Sequence, residues 1–424
     1  MQQLIALVAL SLTAVVGAAQ APGHGPSTGS ALALELQELV AQERLPGAIA
    51  IIEVDGVRID AARVGWQDLQ RAVKLSGDAI FRLYSMTKPI TSVAIMMLAE
   101  RGDLSLEDSV ATYLPELAGM RVYVSGDLDS MVTEPLRRPI TLRDLLLHDS
   151  GIVYPFTGTS TVHRYYRQYG VMRDTPVGRR PGDGEPAHSL DELVRRIGEA
   201  PLLHQPGSGF HYSYSTTVLG AVIERVTGER LSTALRRMLF DPLGMDDTAF
   251  VLSDEQLPRF TTLYEAVPEG LQPIELPETS DYRDDTRLLD GGGGLVSTAD
   301  DYLRFARMLA RGGELAGRRY LSESTVEEMF KAHIRVQGRG SRSTAIGYGF
   351  ARGDDASEEA GRQPAGTVGW SGSGNTFFFL DPVTGLLGLF MTHELTPREH
   401  AARSAAFRQI MTRAAIRATR ETRR

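Results

Sequence analysis

Extended apolar segments occupy both ends of this chain and helical periodicity fills its middle, a distribution that leaves few architectures open to it. Ala48-Ile-Ala-Ile-Ile-Glu-Val54 is a strand candidate, Asp55-Gly56 supplies a turn, and Val57 to Val64 returns, which reads as a β-hairpin after a helix over Ala31 to Arg44. The last third gives strands at Ile346 to Ala351, Thr367 to Ser371, Asn375 to Leu380 and Leu386 to Thr392, with Asp381 to Gly385 as a turn and a final helix from about Pro397. Between these ends, helices are expected from Thr141 through Leu147, from Ser189 or Asp191 through Ala200, and over Thr216 to Thr227 and Leu231 to Phe240. The order predicts an α+β or α/β fold. An antiparallel sheet is built from N- and C-terminal segments, flanked by helices, and a mainly helical domain is inserted in it. The expected sheet domain is residues 31–85 and 290–424 and the helical domain residues 86–289. Within the latter, residues 152–188, rich in Pro, Gly, Arg and Tyr and without periodicity, form a lid-like segment.

The apolar run Leu4 to Ala19 ends in small residues and precedes a Pro/Gly/Ser-rich stretch. Residues 1–21 therefore read as a secretory signal and 22–30 as a linker, although Met1-Gln2-Gln3 lacks Lys and Arg, and the expected location is periplasmic or secreted. The run is short for a membrane span, so no stable membrane insertion is expected. The absence of cysteine excludes disulfides, thiolate metal sites and a cysteine nucleophile. A net charge of −8 with interspersed arginines leaves no footprint for nucleic acid.

Ser85-Met86-Thr87-Lys88-Pro89 is the stretch with the most chemical content. At a helix start, residues i and i+3 share a face, so the Lys88 amine can reach the Ser85 oxygen. Only three of the 45 basic residues are lysine, namely Lys74, Lys88 and Lys331. Arginine cannot give up its proton in a protein, whereas a lysine whose ammonium form is disfavoured can act as a base toward a serine hydroxyl. The bland alternative is a capping serine with a snorkelling lysine.

Such a nucleophile needs a second proton-transfer group and an oxyanion hole. His211-Tyr212-Ser213-Tyr214-Ser215 precedes a helix, and Tyr212 beside a cationic lysine can share the base role; an aromatic packed at a helix entry is the competing reading. Gly369-Trp370-Ser371-Gly372-Ser373-Gly374 joins two expected strands, and its small residues let the Ser373 N–H pair with that of Ser85 as oxyanion donors, unless it is a plain turn. Gly291 to Gly294, before a helix over Thr298 to Arg311, suggests close backbone approach rather than a phosphate loop.

Taken in order, Ser-X-X-Lys, Tyr-X-X and the late strand motif resemble the serine β-lactamase and penicillin-recognising superfamily, and more narrowly its class C-like family VIII carboxylesterases. The resemblance runs from about Ala31 to Thr392 and takes in Leu145-Leu-Leu-His148-Asp-Ser-Gly151, Leu243-Gly244-Met245 and Gly291 to Thr298. It implies a β-lactamase-like fold, Ser85 as acylated nucleophile, Lys88 and Tyr212 as proton-transfer pair, and Trp370-Ser371-Gly372 where β-lactamases carry Lys-Thr-Gly. Two departures bear on substrate. Tyr214 replaces the usual Asn of the second motif, an amide that binds an acylamino side chain, and Trp370 replaces a lysine that attracts a carboxylate. Both favour uncharged short-chain esters, with an aromatic wall for the acyl or aryl group. Arg287, Arg342 or another arginine is the alternative source of positive charge. The alternatives are a β-lactamase, a D-Ala-D-Ala-type peptidase or transesterase, and an inactive binding protein, which would have lost one of the three residues. No cofactor or metal is expected: the nine histidines are scattered and His393-Glu394 lacks a second histidine four residues on. The expected partner is a small-molecule ester, and the oligomeric state is left open.

Overall fold

Helix α1 (Ala31–Ala41) starts where the Ser30 side chain accepts from the Ala33 N–H, and it leads into the hairpin of β1 (Gly47–Val54) and β2 (Val57–Asp68). Asp55 and Gly56, both at positive φ (52° and 77°), make the tight turn that the Asp-Gly pair specifies. The computed structural model describes residues 29–174, 179–337, 343–359, 361, 363–395 and 400–422. The expected signal of residues 1–21, most of the linker of 22–30, Arg342 and Pro397 lie outside the described residues.

Nine strands form one antiparallel sheet, adding β3 (Val73–Lys74), β4 (Ile334–Gln337), β5 (Ser343–Ile346), β6 (Ala351–Arg352), β7 (Val368–Ser371), β8 (Phe377–Asp381) and β9 (Leu386–Thr392). Their spatial order is β4-β5-β6-β7-β8-β9-β1-β2-β3. The first strand of the chain therefore lies beside the last, with Ala48 opposite Thr392 and Val54 opposite Leu386. Every residue of β1 and of β9 is buried, which is why both read as mainly apolar runs rather than as alternating strands; the one charged residue in β1, Glu53, is paired with Arg307. One face, through Ala48, Ala50, Ile52, Phe379 and Phe390, packs on Leu32 and Leu36 of α1 and on Phe407, Met411 and Ala414 of the C-terminal helix. The other face, through Ile49, Ile51, Phe378 and Leu389, joins the main core with α2 (Thr87–Arg101) and the helix Ala299–Ala310.

The expected single strand Ile346 to Ala351 is instead the end of β5, a turn and the start of β6. Gly349 takes φ +82°, and the Gly347 N–H donates to the Phe350 carbonyl at 2.8 Å, which reverses the chain. The intervening residues include helices at Leu142–Leu146, Leu190–Glu199 and Ser215–Thr227. Residues 152–188 contain the helix Thr161–Gln168, and Ile152, Val153, Tyr154, Val162 and Tyr166 are buried in the main core. No described helix is long and apolar enough to cross a membrane.

Candidate active site

Two short pairings hold the segment that carries Ser85. Phe81 and Arg82 pair with Ser297 and Val296, and the Leu83 N–H donates to the Leu295 carbonyl at 2.9 Å. Tyr84 then takes φ +47°, a left-handed conformation that costs a non-glycine residue about 1–2 kcal/mol. A 3₁₀ turn over Tyr84–Met86 feeds directly into α2, so the helical spacing anticipated for Ser85 and Lys88 is present although Ser85 itself precedes the α-helix. Helix α2 is buried on all sides from Thr87 to Leu98, so Lys88, 1% exposed, lies inside the protein rather than on a solvated helix face.

A buried amino group needs polar partners. Lys88 Nζ has three oxygen acceptors: the Gly292 carbonyl at 2.6 Å, the Tyr154 hydroxyl at 3.1 Å and Ser85 Oγ at 3.2 Å. No carboxylate is among them. From the other side the Tyr212 hydroxyl donates to Ser85 Oγ at 2.7 Å. The half-buried serine oxygen is thus flanked by an amine and a phenol. Lys88 Nζ also lies 4.7 Å from the Tyr212 ring centroid and 5.3 Å from that of Tyr154. Burial, with Tyr212 next in effect, holds the Tyr154 hydroxyl well above the ordinary tyrosine range, so it stays protonated at neutral pH.

The sequence marks Gly292 only as part of a glycine run expected to approach closely, not as a partner of Lys88, and it does not mark Tyr154 at all. Gly292 contributes a main-chain carbonyl, and Tyr154 reaches Lys88 across 66 positions of chain, so no local spacing marks either one. Asp290 fixes that carbonyl. Its Oδ1 accepts from the Gly292 N–H at 2.7 Å and from Thr217 Oγ1 at 2.6 Å, while Oδ2 pairs with Arg173 Nε at 3.1 Å. The glycine run allows the close approach. A Cβ on residue 292 would sit 2.7 Å from Thr217 Oγ1, and one on residue 291 would sit 3.1 Å from both Gly220 Cα and the Thr216 carbonyl. Asp290→Ala leaves the guanidinium of Arg173 without this carboxylate, and a broken buried pair costs about 3–5 kcal/mol. We expect the unfolding free energy to fall by that amount, read as a lower urea midpoint at unchanged slope, together with a lower kcat as Gly292 loses its anchor; an unchanged midpoint would remove Asp290 from this role.

The late motif closes the other side. Ser371 pairs with Phe377 in the sheet, and a side chain on Gly372 would collide with the Leu83 carbonyl, so the end of β7 abuts the turn that carries Ser85. Ser373 is exposed in the following turn. Among the described residues, neither its N–H nor that of Ser85 has a main-chain acceptor. Trp370 is half-buried, its ring 6.2 Å from Tyr212 and stacked on His148 at 6.5 Å with 19° between planes. His148 Nδ1 in turn contacts Ser213 Oγ at 3.1 Å. Tyr214 turns inward: its hydroxyl accepts from the Arg173 N–H at 3.3 Å, and its ring meets Tyr154 edge-on at 4.3 Å. Arg287 is committed elsewhere, to Asp281 at 3.1 Å, the Phe250 carbonyl and the Tyr282 ring. The site therefore places a hydroxyl between an amine and a phenol, beside an aromatic wall.

Comparison with known proteins agrees with this fold. A family model described as Beta-lactamase matches residues 32–410. Esterase EstB of Burkholderia gladioli is 31% identical over 370 residues, covering 83% of this chain and 87% of that protein. Lovastatin esterase of Penicillium rubens is 29% identical over 342 residues, covering 76% of this chain and 81% of its own. Among solved structures, EstCE1, described as a hydrolase with promiscuous acyltransferase activity, superposes with a TM-score of 0.71 at 27% identity over 89% of this chain and 98% of that one.

Proposed function

Since the chain belongs to the beta-lactamase family and has its fold, we propose that it is a carboxylesterase cleaving short-chain, uncharged esters through an acyl-enzyme on Ser85. The observation that carries this reading is Ser85 Oγ held between Lys88 Nζ at 3.2 Å and the Tyr212 hydroxyl at 2.7 Å. In the acylation step Lys88, in its amine form, takes the Ser85 proton as Oγ attacks the ester carbonyl, and the Tyr212 hydroxyl gives its proton to the departing alkoxide and recovers one from Lys88. The Ser85 and Ser373 N–H groups hold the oxyanion. Water then enters in place of the alcohol, and the same pair deprotonates it to release the acid. EstB and the lovastatin esterase, both named as esterases, support the reaction class.

Trp370 supports the choice of neutral substrates. Its indole, packed against Tyr212 and His148, presents an apolar surface where a β-lactam would bring a carboxylate. Desolvating that charge without a partner costs several kcal/mol, or roughly two or more decades in rate. The expected result is a kcat/KM for p-nitrophenyl butyrate that exceeds that for a chromogenic cephalosporin by about 10²-fold or more. Trp370→Lys should narrow the ratio by placing a cation there. Comparable values on the wild-type protein would reject the esterase reading in favour of a β-lactamase.

A further inference from the structure

Beside Ser85, two imidazole nitrogens and a hydroxyl oxygen converge on one point. His163 Nε2 and His211 Nε2 are 3.1 Å apart, Thr157 Oγ1 is 2.9 Å from His211 Nε2, and it is 3.4 Å from His163 Nε2. The Thr157 hydroxyl hydrogen is committed to the Tyr154 carbonyl at 2.8 Å, so its lone pairs face the two rings. The arrangement is held from outside. His163 Nδ1 contacts Ser160 Oγ at 2.7 Å, and the main-chain N–H of His211 donates to the His148 carbonyl at 2.8 Å. Gly158 leaves room for the His163 ring, into which any Cβ at that position would run. His163 is 3% exposed and His211 half-buried, so the cluster is enclosed yet in reach of solvent.

We propose that Thr157, His163 and His211 form a binding site for a divalent transition-metal ion of borderline softness, separate from ester cleavage. The separations carry the inference. Ligand atoms about 2.05 Å from zinc lie roughly 3.4 Å apart in a tetrahedron and about 2.9 Å apart at right angles, and the three observed distances span that interval. Two imidazoles suit zinc, copper or nickel, and the Ser160 hydroxyl on the far nitrogen of His163 is the kind of contact that fixes ring orientation. Among the described residues no three His, Asp or Glu side chains gather as ligands, so the third donor is the threonine hydroxyl and water completes the shell. Both rings are neutral at pH 7: burial and then His163 push His211 down to about 4, and burial and then Arg167 lower His163. Because His211 immediately precedes Tyr212, a bound ion ties the Thr157–His163 segment to the backbone that carries that phenol.

The test is titration of the full chain, stripped with a chelator, with zinc by calorimetry and with cobalt by visible absorption. One equivalent of zinc should bind at pH 7.5 and raise the thermal midpoint, as any ligand of the folded state does. Cobalt should develop the d–d bands of a nitrogen-ligated ion. His163→Gln should weaken binding by about 100-fold or more, and Ser160→Ala, an exposed position with no packing to lose, by about 10-fold. His188→Gln, at an exposed histidine elsewhere, should change nothing. Zinc affinity that is unaltered by both His163→Gln and Ser160→Ala, or the absence of stoichiometric binding, overturns the proposal.

Discussion

Ser85→Ala is expected to lower turnover of p-nitrophenyl butyrate by about 10⁴-fold or more, the scale on which loss of an activated nucleophile is felt. The variant should also fail to gain mass from a phosphonate ester that adds one equivalent to the wild-type protein. The structure explains why the fold should survive. The serine side chain is half-buried, and its removal leaves Lys88 with the Gly292 carbonyl and the Tyr154 hydroxyl as acceptors. The thermal midpoint should therefore stay within a few degrees of wild type while activity disappears. A stable variant that retained near-normal turnover would mean that another residue attacks the ester, and the assignment of Lys88 and Tyr212 would fall with it.

Lys88→Met and Tyr212→Phe should each cost about 10²–10⁴-fold in kcat/KM, the range for removing a general acid or base. Methionine is the informative choice at residue 88. The position is 1% exposed, so arginine would overpack it at about 1–3 kcal/mol and confuse misfolding with lost chemistry. The Met variant leaves the Gly292 carbonyl without its Lys88 donor, a penalty of about 1–3 kcal/mol that a urea titration separates from the kinetic effect. The double variant carries the sharper test. Both groups touch one oxygen, at 3.2 and 2.7 Å, so their losses should be strongly sub-multiplicative. Fully multiplicative losses would show that the two groups act on separate protons.

Much of this constellation is legible in the sequence because it is local. Ser85 and Lys88 are one turn apart, and a scarce lysine in an arginine-rich chain draws attention to itself. The hairpin of β1 and β2 is legible for the same reason: two residues at positive φ are where Asp-Gly belongs. What spacing does not reveal is whatever arrives through the fold. The Gly292 carbonyl has no side chain to recognise, and Asp290, which fixes it, looks like any acidic loop residue. Tyr154 sits in a stretch without periodicity that reads as a lid, yet it is buried against Lys88. The misjudged strand at Ile346 to Ala351 has the reverse cause, an apolar composition interrupted by Gly347 and Gly349 that the tertiary packing uses as a turn.

The pairing of β1 with β9 also sets a timetable for the ribosome's product. The Thr392 hydroxyl donates to the Gly47 carbonyl at 2.7 Å across 345 positions, so the first strand made waits for nearly the last before its open edge is covered. Contacts of such sequence separation form late and slowly. A nascent chain halted before residue 386 already contains Ser85, Lys88, Tyr154 and Tyr212, but it lacks the strand that joins the two halves of the sheet. Its apolar β1 edge would remain open to other chains, which makes truncated products candidates for aggregation and proteolysis rather than for partial activity.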